Sequence, residues 1–343
     1  MAKSSLERCL EAFDGESDRI PFAPFIMHFA AELLSIDYSS QYCQNYNYVV
    51  EGQIKCWKNF DLDVVCVSTD AYREAEGWGV KVSYDMHTPY PVRQLDIGSF
   101  DSVEAPEVMS GRMLDRIRAV EKLSRSHGSE VLVIGWIEAP FAELCCLFGV
   151  YQTLLLARRN PALLRRILDR VVKVQEEFAK AQIEAGAHVI GAGDSIISQI
   201  GPGEYKRTAL DTTRKLFHAL KVPVLYHCCG DNSIVNKDGD MLKLIASSGA
   251  KIIDIDTQVN LKVAKEKIGE CCIRGNVNTT ILGDPMATTE AIFDACKESV
   301  ETGKINGRYM FAAGCEWPWR PLNIVSRNLG IAKAIVLAYG TYA

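Results

Sequence analysis

The chain has 343 residues, of which 48% are hydrophobic and 24% are charged. These values are ordinary for a folded globular protein, so they exclude a chain that is disordered over most of its length. The 38 Lys and Arg residues against 43 Asp and Glu residues give a formal net charge of −5. Because proteins dedicated to nucleic acids usually carry a basic face, this balance argues against a nucleic-acid partner.

Two sequence features also argue against a membrane or exported protein. The most apolar stretch, residues 131–150, contains Glu138, Pro140 and Glu143, and membrane spans avoid such charges. The opening residues, MAKSSLERCLEAF, lack the apolar run of a secretion signal. We therefore expect no membrane partner and a cytoplasmic protein whose 12 cysteines stay reduced.

Strand and helix signals alternate along the chain. About the first 16 residues predict a helix, and residues 78–93 predict a hairpin inserted after the second strand. Apolar or β-branched runs bounded by Gly, Pro, Asp or Asn predict eight strands, at residues 21–27, 64–67, 131–137, 188–191, 222–227, 252–255, 273–277 and 309–312. Apolar residues at helical spacing predict the clearest helices, at about residues 111–125, 160–186, 204–219, 241–248, 289–302 and 322–337.

This alternation predicts an α/β fold, a (β/α)₈ TIM barrel with an N-terminal helical extension. No Gly/Ser linker or low-complexity segment divides the chain, so we expect one domain over residues 1–343. A doubly wound parallel sheet remains the alternative, because it also alternates strands and helices. The absence of G-x-G-x-x-G after the first strand disfavours its dinucleotide-binding form.

Polar and thiol residues follow most of the predicted strands. In a barrel the C-terminal ends of the strands form one rim, where active sites lie. We therefore expect a shared site built from these residues: His28, Asp70, Glu138, Asp194, His227, Cys228, Cys229, Asp256, Asn276, Asn278, Cys315 and Glu316.

A His-x-Cys pair in LYHCCGD and a later cysteine in FAAGCEWP suggest a metal site. Residues two apart in an extended chain project to the same side, so His227 and Cys229 can reach one ion. Barrel closure would bring Cys315 to the same rim, while Cys228 is expected to point away and pack. Two thiolates and one imidazole suit Zn²⁺ and leave one coordination position open.

The fourth zinc ligand is left undetermined by the sequence. A substrate, a water molecule or one of five rim carboxylates can fill the open position: Asp70, Glu138, Asp194, Asp256 or Glu316. A purely structural interpretation is also open at this point, in which the cysteines and the histidine pack in the core and bind no metal.

Segments along nearly the whole chain resemble the uroporphyrinogen decarboxylase superfamily. The similar segments are DRIPFAPF, FDLDVVCVSTDAYREAEGWG, GAHVIGAGDSIIS, LYHCCGDNS, IRGNVNTTILGDP and FAAGCEWPWRPLNI. The resemblance implies a (β/α)₈ barrel, in agreement with the pattern above. The decarboxylase itself carries R-Q-A-G-R after its first strand, whereas FIMHFAAELL here contains no arginine. Because a tetracarboxylate substrate needs cationic partners, this difference argues against porphyrinogen chemistry.

The zinc-dependent, corrinoid-linked methyltransferases are the branch of that superfamily whose motifs match. Their zinc ligands are an H-x-C in the middle of the chain and a late G-C, and His227, Cys229 and Cys315 fall on those positions. The late G-C-E-W-P looks more like the demethylase components. The resemblance therefore implies methyl transfer from a small methylated substrate, such as an aromatic methyl ether, to a Co(I) corrinoid (cobalamin).

No D-x-H-x-x-G motif for binding a corrinoid occurs in the chain, so the cobalt cofactor is expected on a partner protein. We expect Glu138 to act as a catalytic proton relay or a resting zinc ligand. The expected substrate-binding residues are His28, Trp136, Asp194, Tyr226, Asp256, Asn276 and Trp317. Phe25, Phe29 and Trp319 are further aromatic candidates near the rim.

Three other functions remain open from the sequence. The first is a methylcobamide:thiol methyltransferase of the coenzyme M type, which would use the same zinc site on a thiol. The second is a metal-free enzyme similar to uroporphyrinogen decarboxylase. The third is a barrel whose cysteine and histidine cluster only stores or senses a metal.

Overall fold

The structure, a computed structural model, describes residues 3–342, and eleven strands form within them. The predicted domain over residues 1–343 includes Met1, Ala2 and Ala343, which lie outside the described residues. Strands β1 to β11 span, in order, Val64–Cys66, Lys81–Ser83, Tyr90–Arg93, Leu132–Glu138, Val189–Gly193, Val224–Cys228, Val235–Asn236, Gly239–Asp240, Ile252–Ile255, Cys272–Val277 and Tyr309–Ala313.

Fifteen α-helices form within the same residues. Helices α1 to α15 span, in order, Ser5–Ala12, His28–Leu34, Tyr46–Phe60, Arg73–Gly77, Gly111–His127, Pro140–Phe148, Val150–Arg159, Pro161–Glu184, Gly201–Thr208, Leu210–Ala219, Met241–Ala246, Leu261–Ile268, Thr279–Gly283, Thr289–Lys304 and Leu322–Tyr339. Asn160 caps α8 by accepting a hydrogen bond from the backbone N–H of Leu163, as its position before Pro161 predicts.

Seven parallel strands form one curled sheet in the order β1-β4-β5-β6-β9-β10-β11. Spatial order therefore follows chain order, and each new strand adds to the same edge. A doubly wound sheet reverses its strand order at a switch point, so the sheet order excludes that alternative. The fold is the predicted TIM-barrel type of α/β fold, with helices between the strands.

The predicted first strand, residues 21–27, differs from the prediction. It makes only isolated bridges, from Phe22 to Phe311 and from Phe25 to Glu316. On its other side, Phe22 O accepts a hydrogen bond from the backbone N–H of Asp63, next to β1. The segment therefore lies between β11 and β1, where the eighth strand of a barrel belongs. Pro21 and Pro24 lack the N–H donors that a continuous ladder requires.

The hairpin also follows from the sequence. Strands β2 and β3 pair antiparallel after β1, as predicted for residues 78–93.

Among residues 3–342, no single helix is long and apolar enough to cross a membrane. Helices α6 and α7 reach that length and apolarity only together, and they meet at an angle of 113°.

A buried carboxylate ties the N-terminal helix to the closing segment and to β1. Asp63 is fully buried and accepts hydrogen bonds from Arg8 Nη1 at 2.8 Å and Arg19 Nη1 at 2.7 Å. It also accepts from Ser5 Oγ at 2.7 Å and from the backbone N–H of Phe22 at 2.6 Å. Burial alone would raise the pKa of Asp63, but the guanidinium of Arg19 holds it below its usual range.

We predict that Asp63→Asn lowers the free energy of unfolding by about 3–5 kcal/mol, because it leaves two guanidinium groups without their buried counter-charge. Chemical denaturation at neutral pH measures this change. The control is Glu121→Gln, which removes an exposed ion pair with Arg125 and should change stability by about 0.5 kcal/mol or less. Equal effects of the two substitutions would contradict the structural role given to Asp63.

Candidate metal centre at the barrel mouth

Three potential metal ligands meet at the C-terminal ends of two strands. His227 lies in β6, Cys229 follows it directly, and Cys315 lies two residues after β11. Cys229 Sγ is 3.2 Å from His227 Nε2 and 3.7 Å from Cys315 Sγ, and Cys315 Sγ is 3.8 Å from His227 Nε2. The sequence-predicted ligand set is therefore one cluster that could hold a metal ion.

The distances among these three atoms fit a zinc ion. With bonds of about 2.3 Å to sulfur and about 2.0–2.1 Å to nitrogen, tetrahedral geometry sets two sulfurs about 3.8 Å apart and a sulfur about 3.6 Å from a nitrogen. The observed separations lie within a few tenths of an ångström of those values. Three protein ligands are also the number found in catalytic zinc sites, which keep one position open.

The thiol chemistry of the cluster favours a cation. Hydrogen bonds from Cys229 and His227 hold the pKa of Cys315 well below its usual range, despite its burial, which favours its thiolate form. The pKa of Cys229 is raised, because it bonds to that thiolate and is itself buried. A divalent cation among the three atoms would stabilise both thiolates together.

His227 is oriented by two buried charged residues on neighbouring strands. Its Nδ1 lies 2.7 Å from Asp254 Oδ2, which leaves Nε2 facing the two sulfurs. Arg274 donates from Nε to Asp254 Oδ1 at 2.8 Å and from Nη2 to Asp254 Oδ2 at 2.5 Å. His227 is opposite Asp254, and Asp254 is opposite Arg274, in the strand register. A carboxylate behind a metal-binding histidine fixes its ring orientation.

These buried charged groups shift each other's pKa values. Burial would raise the pKa of Asp254, but Arg274 and His227 hold it below its usual range. Burial also opposes a charge on His227, yet its bonds to Asp254 and Cys315 raise its pKa to about 10. The site therefore accommodates positive charge at the imidazole position.

Asp256 and Asn276 support the loops around the ligands. Asp256 Oδ2 accepts a hydrogen bond at 2.8 Å from the backbone N–H of Gly230, the residue after Cys229. Asn276 Nδ2 donates to Asp256 O at 3.1 Å and to Val259 O at 2.6 Å. These contacts explain both side chains, and their expected binding of substrate remains a prediction.

An aromatic wall lies beside the histidine ligand. The ring of Phe25 stacks on Trp136 with centroids 4.8 Å apart, and both rings lie within 6 Å of the His227 ring. Gly191 makes room for this arrangement, because a Cβ atom there would lie 2.2 Å from the Trp136 ring. The wall is suited to an apolar or aromatic group next to the metal position.

Glu138 ends β4 and lies near the ligands without belonging to their cluster. It is opposite Gly193 in the register, and Gly193 is opposite His227. Arg73 Nη2 donates to Glu138 Oε1 at 2.7 Å. Burial raises the pKa of Glu138 to about 8, although Arg73 opposes the shift. Glu138 thus holds a proton at neutral pH, as a proton donor must.

Asp194 and Tyr226 form a buried, hydrogen-bonded pair beside the ligand strand. Tyr226 donates its hydroxyl to Asp194 Oδ2 at 2.8 Å, and Tyr205 donates to the Tyr226 hydroxyl at 3.4 Å. Burial raises the pKa of Asp194 to about 7, although the hydrogen bond from Tyr226 lowers it. The backbone N–H of Asp194 donates to His227 O, so the pair adjoins the ligand strand.

His28 joins three loops at the barrel mouth. Its Nδ1 lies 3.0 Å from Glu316 Oε1, next to the ligand Cys315, and its Nε2 lies 3.1 Å from Thr88 Oγ1 in the hairpin. The His28 ring stacks between Tyr38 and Trp319, with centroids 3.5 and 5.2 Å away. Glu316 is therefore engaged with His28 in this structure.

Trp317, which the sequence placed near the rim, packs its side chain into the core, and its expected binding of substrate remains a prediction. Its side chain is fully buried, and its Nε1 donates to Val325 O on α15 at 3.2 Å. Core packing therefore accounts for this tryptophan, and the Pro318 that follows it does not turn it outward. Phe29 is likewise buried and packs against Phe60.

Sequence reasoning missed Arg73, Asp254 and Arg274. All three are at least 95% buried, and each forms an ion pair at the mouth. A signal existed for two of them, because Asp254 and Arg274 are charged residues inside the apolar runs IIDI and CIRGNV. A charge inside a buried strand requires a partner, and the two neighbouring strands supply one each.

The geometry defines an α/β barrel protein with a His-Cys-Cys centre at its mouth. The sequence model of the family described as Uroporphyrinogen decarboxylase (URO-D) matches residues 4–321. The chain therefore belongs to the uroporphyrinogen decarboxylase family.

Curated relatives agree with this assignment. A uroporphyrinogen decarboxylase from Citrifermentans bemidjiense is 26% identical over 237 residues, which cover 65% of this chain and 66% of that protein. One from Burkholderia cenocepacia is 26% identical over 267 residues, 71% of each chain. The chain thus spans about two thirds of the length of the curated relatives it matches.

Two solved structures share the fold at low identity. A methyltransferase from Methanosarcina mazei has a TM-score of 0.86 and 19% identity, with 98% of this chain and 99% of that chain covered. A B12-independent methionine synthase from a Shewanella species has a TM-score of 0.61 and 11% identity, with 95% and 96% covered. At these identities the likeness establishes the fold.

We predict that the purified chain binds about one zinc ion, and that Cys229→Ser, Cys315→Ser and His227→Ala each lose most of it, because each removes one of three ligands. Elemental analysis after dialysis measures the content. The matched control is Cys228→Ala, a buried neighbour outside the cluster, which should keep its zinc. Retention of zinc by all three ligand variants would refute the site.

We predict that Asp254→Asn weakens zinc binding by about 10–100-fold, since the ring of His227 loses the carboxylate that orients it. Competition with a chromophoric chelator gives the affinity. Asp231→Asn is the control, because Asp231 bonds only to Ser233 on the exposed loop beyond the ligands. A change smaller than twofold for Asp254→Asn would contradict the orienting role.

Proposed function

We propose that this protein is a zinc-dependent methyltransferase that moves a methyl group from a small methylated substrate to the Co(I) corrinoid of a partner protein. The observation that carries the proposal is the three-ligand His-Cys-Cys cluster, since a closed structural zinc site would have four ligands. The name of the similar barrel from Methanosarcina mazei, a methyltransferase, also supports it.

When bound, zinc supplies a Lewis acid with one open position, where the charge that develops on a leaving oxygen is stabilised. The chain's own residues prepare that position. Arg274 and Asp254 hold Nε2 of His227 toward it, and Phe25 and Trp136 offer an apolar surface for the rest of the substrate. Glu138, which holds a proton at neutral pH, is the proposed donor to the leaving oxygen.

The paired arginines at the mouth favour an uncharged substrate. Arg73 pairs with Glu74, Arg112 with Asp70 and Arg274 with Asp254. An anionic substrate would have to compete with a buried carboxylate for each of these guanidinium groups. This observation favours an aromatic methyl ether over a thiol that carries a sulfonate, as in the coenzyme M-type reaction. It also disfavours a porphyrinogen with several carboxylates, although the curated relatives bear that name.

The corrinoid is proposed to arrive on a separate cytoplasmic protein and to contact the barrel mouth only during transfer. A transient encounter of this kind needs a modest, hydrated interface rather than a permanent one. The Co(I) corrinoid would supply the electron pair for the new bond to the methyl carbon, the pair of the broken carbon–oxygen bond would stay on the oxygen, and one proton would complete the product.

The test is a methyl-transfer assay with reduced corrinoid, followed through the absorbance change of cobalt. Neutral aromatic methyl ethers, methanol and methylated thiols are the donors to compare. We predict that an ether is demethylated and that Cys229→Ser and Cys315→Ser lose at least about 100-fold in rate, whereas Cys228→Ala keeps it. Equal rates in the zinc-free variants, or transfer only to an anionic thiol, would refute the proposed reaction.

We also predict a pH dependence from Glu138. Its protonated form is the active one, so kcat should be level below a pH of about 8 and fall as the pH rises through that value. Glu138→Gln should lower kcat by about 100-fold and remove this alkaline limb. An alkaline limb that persists in Glu138→Gln would assign it to another group.

A further inference from the structure

A cluster of four buried charged residues lies behind Glu138. Arg73 and Glu74 come from α4, Glu138 from the end of β4 and Glu143 from α6. Arg73 Nη2 lies 2.7 Å from Glu138 Oε1 and 3.4 Å from Glu74 Oε2, and Glu74 Oε1 accepts the backbone N–H of Glu138 at 2.8 Å. None of the four is more than 7% exposed.

Glu143 has no partner in this cluster. Both of its carboxylate oxygens are buried without a hydrogen bond to any of the described residues 3–342. Three carboxylates face one guanidinium, so complete ionisation would leave two buried negative charges uncompensated. Burial and the neighbouring charges of Glu74 and Glu138 raise the pKa of Glu143 well above its usual range. The cluster therefore holds at least one proton at neutral pH.

The other ionisable groups near the cluster do not neutralise its excess negative charge. Asp70, in the loop after β1, is already paired with Arg112. Cys146, from the same helix as Glu143, has a pKa raised by burial and by the Glu143 carboxylate, so it stays a neutral thiol. Tyr72, which precedes α4, also has a raised pKa and stays neutral.

Glu138 connects this cluster to the metal centre. One oxygen, Oε1, bonds to Arg73, while Oε2 leans over Gly193, where a Cβ atom would lie only 2.9 Å from it. Gly193 separates Glu138 from His227 in the strand register. A glycine there lets a proton on Glu138 Oε2 face the ligand side, while the other oxygen stays with the cluster.

The cluster also adjoins a route to solvent away from the metal. Arg73 lines a surface pocket of about 340 Å³ together with Glu76, Tyr84, Arg112 and other residues. Water in that pocket can restore a proton to the cluster without passing the substrate. The cluster thus has one side toward the metal centre and one toward solvent.

We propose that Glu143 stores the proton that Glu138 delivers to the leaving oxygen, a role that rests on the proposed methyl transfer. The bond between the methyl carbon and oxygen breaks, and the oxygen takes the proton from Glu138 Oε2. Glu138 then takes a proton from Glu143 through a bridging water molecule, because no direct hydrogen bond joins the two carboxyl groups, and water from the pocket that Arg73 lines returns one proton to the cluster. One proton is thus consumed for each methyl group transferred.

Stability of the fold alone would not favour an acid at position 143. A buried acid with no hydrogen bond destabilises a fold, and an apolar residue of similar volume removes that cost. Glu143→Leu should therefore raise the melting temperature by roughly 2 °C or more. As a reservoir, Glu143 is retained for turnover, so the same substitution should lower kcat by about 10-fold with KM unchanged, because Glu143 does not touch the substrate.

Glu143→Gln and Thr213→Val complete the experiment. The glutamine keeps the shape of Glu143 but cannot give up a proton, so its kcat should fall as in Glu143→Leu. Thr213, on α10, is another buried residue whose hydroxyl has no partner among the described residues, and it lies outside the site. Thr213→Val removes a comparable unpaired group and should leave kcat and KM unchanged.

Infrared difference spectra near neutral pH provide a measurement that needs no turnover. Protonated carboxyl groups should give carbonyl bands in the parent chain, and the component that belongs to Glu143 should be lost in Glu143→Leu, while the component from Glu138 remains. Absence of that difference overturns the inference. A parent chain that transfers methyl groups while both Glu143 variants keep its kcat overturns the inference alone. A parent chain that transfers none to corrinoid overturns the proposed function, and the inference with it.

Discussion

Closure of the barrel is the constraint on which the metal centre depends. His227 and Cys229 come from β6 and Cys315 from the far end of the sheet, and only a sheet that curls through β11 back to β1 brings their loops together. The closing segment carries two prolines and makes four backbone hydrogen bonds to its neighbours, and the buried carboxylate of Asp63 adds a fifth by accepting from the N–H of Phe22. Stability at the bottom of the barrel and geometry at its mouth are therefore linked through one short segment.

Around the metal centre, charges are arranged in pairs rather than left open to solvent. Arg274 with Asp254, Arg112 with Asp70 and Arg73 with Glu74 each pair a buried guanidinium with a buried carboxylate. Such pairs add little net stability, because the cost of desolvation offsets the attraction. Their value lies in fixing side chains: the imidazole of His227 presents one nitrogen to the metal position. Glu143 lacks such a pair, and its burial keeps a proton within the chain.

The sequence predicted the barrel, the hairpin and all three candidate ligands, because each rests on local patterns or on a motif of fixed spacing. It did not predict the supports of those ligands. Asp254 and Arg274 lie within apolar strands, and which strands become neighbours depends on the closed sheet rather than on either segment. The first strand was predicted as a regular strand from its apolar residues, but the segment forms only isolated bridges, because Pro21 and Pro24 lack N–H donors. The burial of the Trp317 ring was also not predicted, because a loop position does not reveal which way a ring turns.

Two glycines on β5 make room for two side chains of the neighbouring strand β4 at the mouth. A side chain at position 191 would collide with the indole of Trp136, and one at position 193 would displace the carboxylate of Glu138. Among barrels of this family, the residue at position 193 is therefore a steric marker. In a relative with alanine or anything larger there, the end of the acid side chain would have to shift from the position seen here, even when the histidine and both cysteines are kept.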